Sequence, residues 1–251
     1  MKNLFLFLIC ALSMTAYGTP SVLNDAEVSR PAISNTHTTK QVDAANLLTS
    51  NEKKVREAAA KIYSARGGHG SGGLIKYKDI QLILTAHHVA DGELGQTYLT
   101  LVGSEMQRAV LVYKDPLHDI SILYLPVKFE HYEPVKWKPI ENLAEVGHEI
   151  TYSGYPSWHN LLSFRGHVAG YETIPEAGQQ IILQTYGYFG CSGSVVYDND
   201  GRQLGILWGV DVQRDGVHEN IVWVAPIQNL DIDLALSALC NSTPDKPRAC
   251  R

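Results

Sequence analysis

The chain has 251 residues and a formal net charge of −5, with 45% hydrophobic residues, 21 glycines, 11 prolines and 4 cysteines. This composition excludes a collagen-like chain, which needs far more glycine and proline, and a wholly disordered chain, which has far fewer apolar residues. The cysteines are too few for a small domain held together by disulfides. The acidic balance argues against nucleic acid as a partner.

The N-terminus has the three parts of an export signal. Lys2 supplies positive charge, Leu4 to Leu12 form an unbroken apolar run, and Ala16-Tyr17-Gly18 offers small residues for a signal peptidase. The apolar run is less than half of the roughly twenty residues that a membrane-spanning helix needs. We therefore predict a signal peptide over 1–18, a secreted or periplasmic protein, and no membrane span after cleavage.

Residues 19–50 are rich in Ser, Thr, Asn and Pro and show no periodicity, which predicts a linker or pro-segment. Thr49 and Glu52 then have the spacing of a capping box. A short helix is predicted over 51–63, because four apolar residues fall on one helical face: Val55, Ala58, Ala59 and Ile62.

From about residue 60 the pattern changes to short apolar segments separated by turn residues, which predicts strands. Asp200-Gly201 predicts a hairpin, and Pro226 predicts the start of a last helix that ends near Cys240. Two groups of about six strands, closed by a helix, fit an all-β double barrel. The predicted strands are 74–77, 80–85, 97–102, 109–113, 120–125, 149–153, 163–171, 180–185, 194–197, 203–210 and 221–224.

Three cysteines follow the predicted signal peptide. Cys240 and Cys250 bracket a short polar segment, and an oxidising compartment disfavours two free thiols there. We predict a disulfide between them that contributes about 2–3 kcal/mol to stability. Cys191 is left without an obvious partner.

Three segments carry residue types suited to nucleophilic catalysis, and each is commonplace alone. They are Thr85-Ala86-His87-His88-Val89, Asp119 followed by an apolar strand, and Gly190-Cys191-Ser192-Gly193-Ser194. In this order they resemble the chymotrypsin-like (trypsin-fold) serine proteases, whose triad runs His, Asp, Ser along the chain. The resemblance spans about residues 55–235 and is closest to secreted bacterial glutamyl endopeptidases and the Deg-family protease domain. Three supporting stretches also match: Gly70 to Ile75, Gly154 to Pro156, and Gly205 to Gly209.

The resemblance implies two six-stranded antiparallel β-barrels with a C-terminal helix, a protease domain over 51–240 and a tail over 241–251. It implies a secreted serine endopeptidase in which His88 is the base, Asp119 orients it, and Ser192 is the nucleophile. The backbone N–H groups of Gly190 and Ser192 are expected to form the oxyanion hole.

Two neighbouring residues compete for these roles. His87 adjoins His88, and the family spacing selects His88 as the base. Cys191 adjoins Ser192, and the glycines on either side favour Ser192 as the nucleophile, with Cys191 a partly buried spectator. Trypsin-like zymogens carry an Asp at the position of Cys191, so their activation switch is not expected here.

The resemblance also suggests a substrate pocket formed by Tyr186, Leu207, Trp208 and Gly209. Leu207 stands where glutamyl endopeptidases carry a His, and Tyr186 stands where trypsins carry an Asp. Neither a Glu preference nor a Lys or Arg preference is therefore expected. We predict a small or apolar residue before the cleaved bond.

The other histidines lack the paired spacing of metal ligands, so no metal site and no cofactor are predicted. The predicted partner is a polypeptide substrate. The alternative is a non-catalytic secreted protein that uses a protease fold for binding.

Overall fold

The computed structural model describes residues 47–64, 67–213 and 216–242. The predicted signal peptide, most of the linker and nearly all of the C-terminal tail, including Cys250, lie outside these residues. In chain order the elements are α1 (Ser50–Glu57), β1 (Ala59–Tyr63), β2 (His69–Tyr77), β3 (Ile80–Ala86), β4 (Thr97–Val102), β5 (Glu105–Asp115), β6 (Ile120–Tyr124), β7 (Val135–Lys136), β8 (Glu149–Gly154), β9 (Leu162–Ile174), β10 (Gly178–Gln184), β11 (Val195–Asp198), β12 (Gln203–Gln213), β13 (Gly216–Pro226), a 3-10 turn (Ile227–Asn229) and α2 (Ile232–Ser242).

Helix α1 begins with the predicted capping box. Thr49 Oγ1 accepts a hydrogen bond from Glu52 N at 3.2 Å, and Glu52 Oε2 accepts one from Thr49 N at 2.6 Å. The predicted helix is wrong beyond Glu57, because residues 59–63 form β1 and pair with both β2 and β4. Two strand partners satisfy the backbone groups of this segment, and that outweighs its helical side-chain pattern.

The first barrel is a ring of six strands in the order β1-β4-β5-β6-β3-β2, closed by pairing of β1 with β2. One face of this ring carries the fully buried apolar side chains of Leu74, Ile83, Leu111 and Leu123, which are paired across neighbouring strands. The short strand β7, which the sequence did not predict, runs parallel to β2.

The second barrel is a closed ring of β10-β13-β12-β11-β8-β9. The predicted turn at Asp200-Gly201 joins β11 to β12, and Gly201 has a φ of +75°, which glycine adopts without strain. The predicted all-β fold with two six-stranded barrels and a C-terminal helix is confirmed.

The C-terminal helix starts later than predicted. Pro226 ends β13, where it is paired with Gly205 of β12, and it precedes the short 3-10 turn Ile227–Asn229 rather than α2. Helix α2 follows Asp231, whose Oδ1 accepts a hydrogen bond from Leu234 N at 2.9 Å and so satisfies a free N–H of the first turn. Neither helix of the described residues is long and apolar enough to cross a bilayer.

An ion pair fastens α1 to the second barrel. Glu52 is buried, and its carboxylate accepts hydrogen bonds from the guanidinium of Arg165 on β9, one of them at 2.8 Å. Arg56 of the same helix donates to Ser163 Oγ and Leu161 O, each at 3.0 Å. The bonds from Arg165 are the largest cause of a Glu52 pKa that is lowered from 4.5 to about 2.

We predict that Glu52→Gln lowers the free energy of unfolding by about 1–2 kcal/mol at neutral pH, because a charge-assisted pair is lost. The Glu52 pKa is lowered by folding, so its contribution is present above pH 4.5 and disappears as the pH falls towards 2. Urea denaturation at several pH values should show a smaller acid-dependent loss in the variant. Glu57→Gln, on the exposed side of α1, is the control. An unchanged acid dependence in Glu52→Gln would contradict this account.

Candidate active site

Strand pairing brings the predicted base and acid together. β3 and β6 are antiparallel with Ala86 opposite Ile120, so the residues that follow Ala86 meet the residue before Ile120 at one end of the barrel. His88 Nδ1 lies 2.6 Å from Asp119 Oδ2, and His88 N donates to Asp119 Oδ1 at 2.8 Å. The carboxylate is therefore bound to both the ring and the backbone of His88.

Asp119 has an unusual backbone conformation for this task. Its φ is +55°, a left-handed value that costs about 1–3 kcal/mol in most residues and less in Asp. The two bonds from His88 and a third, from His87 N to Asp119 O at 3.0 Å, hold it there. This backbone conformation orients the Asp119 carboxylate towards the His88 ring.

The carboxylate distinguishes the two adjacent histidines. His87 is half-buried with Nδ1 3.3 Å from Ser121 Oγ, and burial is the largest cause of its lowered pKa. The His88 side chain is 49% exposed. When Nδ1–H of neutral His88 donates to Asp119, Nε2 carries the lone pair that a general base needs.

The loop that carries Ser192 reaches across from the second barrel to the first. Ser71 N, on β2, donates to Ser192 O at 2.8 Å. Gly193, with a φ of +92°, packs so closely on β3 that an added Cβ would lie 3.0 Å from Ala86 N. An added Cβ on Gly70 would likewise lie 2.5 Å from Val89 and 3.0 Å from Ser192 O. These contacts place Ser192 beside the end of β3, from which His88 emerges.

The Ser192 hydroxyl is not yet bonded to the base. Its Oγ donates to Trp208 O at a long 3.4 Å, and within the described residues it makes no hydrogen bond with His88. Catalytic hydrogen bonds are often long or misaligned before substrate binds. The structure therefore brings the loop to the His88–Asp119 pair without closing the last contact.

The N–H of Gly190 points away from a hydrogen-bonded carbonyl and has no partner among the described residues. Phe189 O accepts a hydrogen bond from Ser157 N at 2.6 Å, and in a trans peptide the N–H points opposite to the C=O. Gly190 N donates to no group of the described residues. The residue must be glycine, because its φ is +97° and an added Cβ would overlap Tyr155 O.

The N–H of Ser192 is in the same situation. Cys191 O accepts a hydrogen bond from Ser194 N at 3.0 Å, which directs the Ser192 N–H away from that bond. The Ser192 N–H donates to no group in the described part of the chain. The intervening Cys191 N, by contrast, donates to Tyr188 O at 2.9 Å. The loop thus leaves unpaired the same two donors that were predicted for an oxyanion hole.

Cys191 faces the barrel interior. It is fully buried, Tyr152 OH lies 3.9 Å from its Sγ, and burial raises the pKa of its thiol. A buried neutral thiol is a poor nucleophile. This geometry agrees with a spectator thiol, although Cys191 is more deeply buried than expected.

The four predicted pocket residues differ in exposure and in contacts, from the exposed Tyr186 to the buried Leu207. Tyr186 lines a cavity of about 450 Å³, and its ring stacks on Phe164 at 5.2 Å. Leu207 is buried, and Trp208 Nε1 donates to Gln180 Oε1 at 3.1 Å. Gly209 has open space on its side-chain side. The other residues that line the cavity are Val217, His218, Glu219 and Asn220.

Sequence reasoning missed Ser71 and Ser157, which bind the loop from outside it. Ser71 lies in a stretch that had been noted only as a supporting match to the family. Ser157 carries no recognisable motif, since it contributes a backbone N–H that any residue other than proline supplies.

We predict that Cys191 resists alkylation by iodoacetamide in the folded protein and reacts once guanidinium unfolds it, because the thiol is buried and neutral. Peptide mapping by mass spectrometry measures this at Cys191 alone. Rapid alkylation under native conditions would contradict the spectator assignment and favour Cys191 as a nucleophile.

Known proteins match this chain in sequence and in structure. The family model of the trypsin-like peptidase domain matches residues 70–206. The pro-apoptotic serine proteases NMA111 of Chaetomium globosum and Pyricularia oryzae are each 31% identical over 137 residues, which is 51% of this chain. The matched segment spans only 13% of the length of either relative.

Solved protease structures share the fold. The active form of the Rv3671c protease from M. tuberculosis has a TM-score of 0.60 and 18% identity, covering 89% of this chain and 94% of that one. The HtrA-type protease AlgW with a tripeptide has a TM-score of 0.61 and 19% identity, covering 76% of this chain and 62% of that one. The match of the family model over more than half of the sequence is decisive: the chain belongs to the trypsin-like peptidase domain family.

Proposed function

We propose that the chain is an exported serine endopeptidase with the triad His88, Asp119 and Ser192. His88 Nε2 takes the proton of Ser192 Oγ as that oxygen attacks the scissile carbonyl carbon. The carbonyl π electrons move to oxygen, and the N–H groups of Gly190 and Ser192 donate hydrogen bonds to the oxyanion that forms. Collapse of this intermediate breaks the C–N bond, and His88 returns the proton to the leaving amine.

Water then completes the cycle. It loses a proton to His88 as it attacks the acyl-enzyme, and the acid product leaves when Ser192 Oγ takes the proton back. Asp119 holds the ring in the tautomer that presents a basic Nε2 and stabilises the imidazolium that forms in each half of the reaction.

One observation carries the proposal. The His88–Asp119 pair at the end of the first barrel adjoins a loop of the second barrel in which the N–H groups of Gly190 and Ser192 have no hydrogen-bond partner among the described residues. Two such N–H groups on one short loop can both donate to a single oxygen that develops negative charge. Turning the Ser192 hydroxyl from Trp208 O towards His88 is the change this mechanism requires on substrate binding.

The substrate preference, the disulfide and the location are proposed from the sequence. A small or apolar residue before the cleaved bond is proposed because Tyr186 stands where trypsins carry an Asp. Leu207 likewise stands where glutamyl endopeptidases carry a His. The Cys240–Cys250 disulfide rests on sequence spacing and on the expected compartment. Export rests on the N-terminal pattern, and a mature chain that begins at Thr19 when the gene is expressed would test it.

We predict that Ser192→Ala lowers kcat/KM on casein-derived peptides by about 10⁴-fold or more and abolishes labelling by a fluorophosphonate. His88→Gln should lose activity comparably. His87→Gln is the matched control and should stay within about tenfold of wild type, because the His87 ring lies beside Ser121 Oγ and the variant keeps the backbone bond from residue 87 N to Asp119 O.

Two results would contradict the assignment. Full activity in Ser192→Ala would exclude it as the nucleophile. A folded wild-type chain that neither cleaves peptides nor reacts with the probe would favour the non-catalytic binding protein.

A further inference from the structure

Ser71 of β2 binds the Ser192 loop through its side chain as well as its backbone. It is fully buried. Its Oγ donates to Gly190 O at 2.7 Å, and its N donates to Ser192 O at 2.8 Å. One residue of the first barrel therefore holds two carbonyl groups of a loop that belongs to the second.

The bond from Ser71 Oγ to Gly190 O holds one end of the peptide plane between Gly190 and Cys191. The plane between Gly190 and Cys191 is held at its C=O by the Ser71 hydroxyl and at its N–H by Tyr188 O, 2.9 Å away. A planar peptide bonded at both ends cannot rotate without breaking one bond. The φ and ψ torsions of Gly190 link this plane to the one that carries the Gly190 N–H.

The bond from Ser71 N to Ser192 O likewise holds one end of the peptide plane between Ser192 and Gly193. The plane between Ser192 and Gly193 is held at its C=O by Ser71 N and at its N–H by Leu207 O, 2.6 Å away. The two free donors thus alternate along the loop with two planes that are bonded at both ends. Ser71 supplies one end of each.

Ser71 is itself held in place. Thr85 Oγ1 donates to Ser71 O at 2.7 Å, and Tyr155 N donates to Ser71 Oγ at 2.9 Å. With one lone pair so engaged, the hydroxyl hydrogen is directed to Gly190 O. Gly154 leaves the room for this arrangement, because a Cβ there would come within 3.0 Å of Ser71 Oγ.

We propose that Ser71 is a positioning residue whose hydroxyl fixes the Gly190–Cys191 peptide and so aims the Gly190 N–H at the transition-state oxyanion. The proposal rests on the proposed protease function. Glycine at a φ of +97° has wide conformational freedom, so without this bond the donor would spend part of its time misdirected. Its loss should act on the transition state more than on substrate binding.

The test is Ser71→Ala, measured by steady-state kinetics on a peptide amide. We expect kcat to fall about tenfold to a hundredfold, less than or similar to the loss of one oxyanion donor, with KM changed less than about threefold. A peptide boronic acid, which forms a tetrahedral adduct with the serine, should lose affinity by a similar factor. The control is Ser153→Ala, which removes a buried hydroxyl bonded to Ser163 Oγ at 2.9 Å outside the loop and should leave kcat within about twofold.

The outcomes separate the two proposals. A wild-type chain that cleaves peptides, with an equally active Ser71→Ala, overturns the role of Ser71 alone, as does a loss confined to KM. If wild type is inert, the protease function fails, and the fixing of the loop is read instead from hydrogen exchange of the Cys191 amide. That exchange should be about tenfold faster in the variant, and an unchanged rate overturns the proposal. Should Ser71→Ala not fold, Ser71→Cys, a similar size but a weak donor, replaces it with the same expectations.

Discussion

A backbone hydrogen bond from Ser71 N to Ser192 O joins the two halves of the candidate site. The His88–Asp119 pair belongs to the first barrel, and the Ser192 loop belongs to the second. Neither barrel contains the whole site, so the chemistry depends on how firmly this loop is docked on β2. Gly193 makes the docking possible, because any side chain there would overlap Ser71 O.

Most of the fold can be predicted from the sequence, because the residue pattern within each strand already indicates that the strand is buried. The runs at 80–85 and 120–125 are apolar enough to be recognised without knowing their partners. β1 was missed because Ala59 and Ile62 also fit a helical face, and only pairing with β2 and β4 decides between the two. Pro226 misled for a similar reason, since its pairing with Gly205 is a long-range contact.

The triad positions were inferred from the order of three motifs, and the structure adds the contact that the order could not supply. The family spacing selects His88 over its neighbour His87, and in the structure Asp119 bonds both the ring and the backbone of His88. The role of Ser71 could not be inferred, because its hydroxyl bonds a carbonyl 119 residues away in the chain. The substrate pocket stays a prediction, because it depends on loop paths that local pattern does not encode.

The loop geometry explains what sets the directions of the Gly190 and Ser192 N–H groups. Every carbonyl from Phe189 to Ser192 is hydrogen-bonded, so the directions of the free N–H groups follow from the bonds made by their neighbours. The most direct test is a crystal structure of the chain after fluorophosphonate modification of Ser192. The account predicts a phosphonyl oxygen about 3 Å from both Gly190 N and Ser192 N, with His88 still paired to Asp119. A phosphonyl oxygen turned away from both nitrogens, or a His88 ring detached from Asp119, would contradict it.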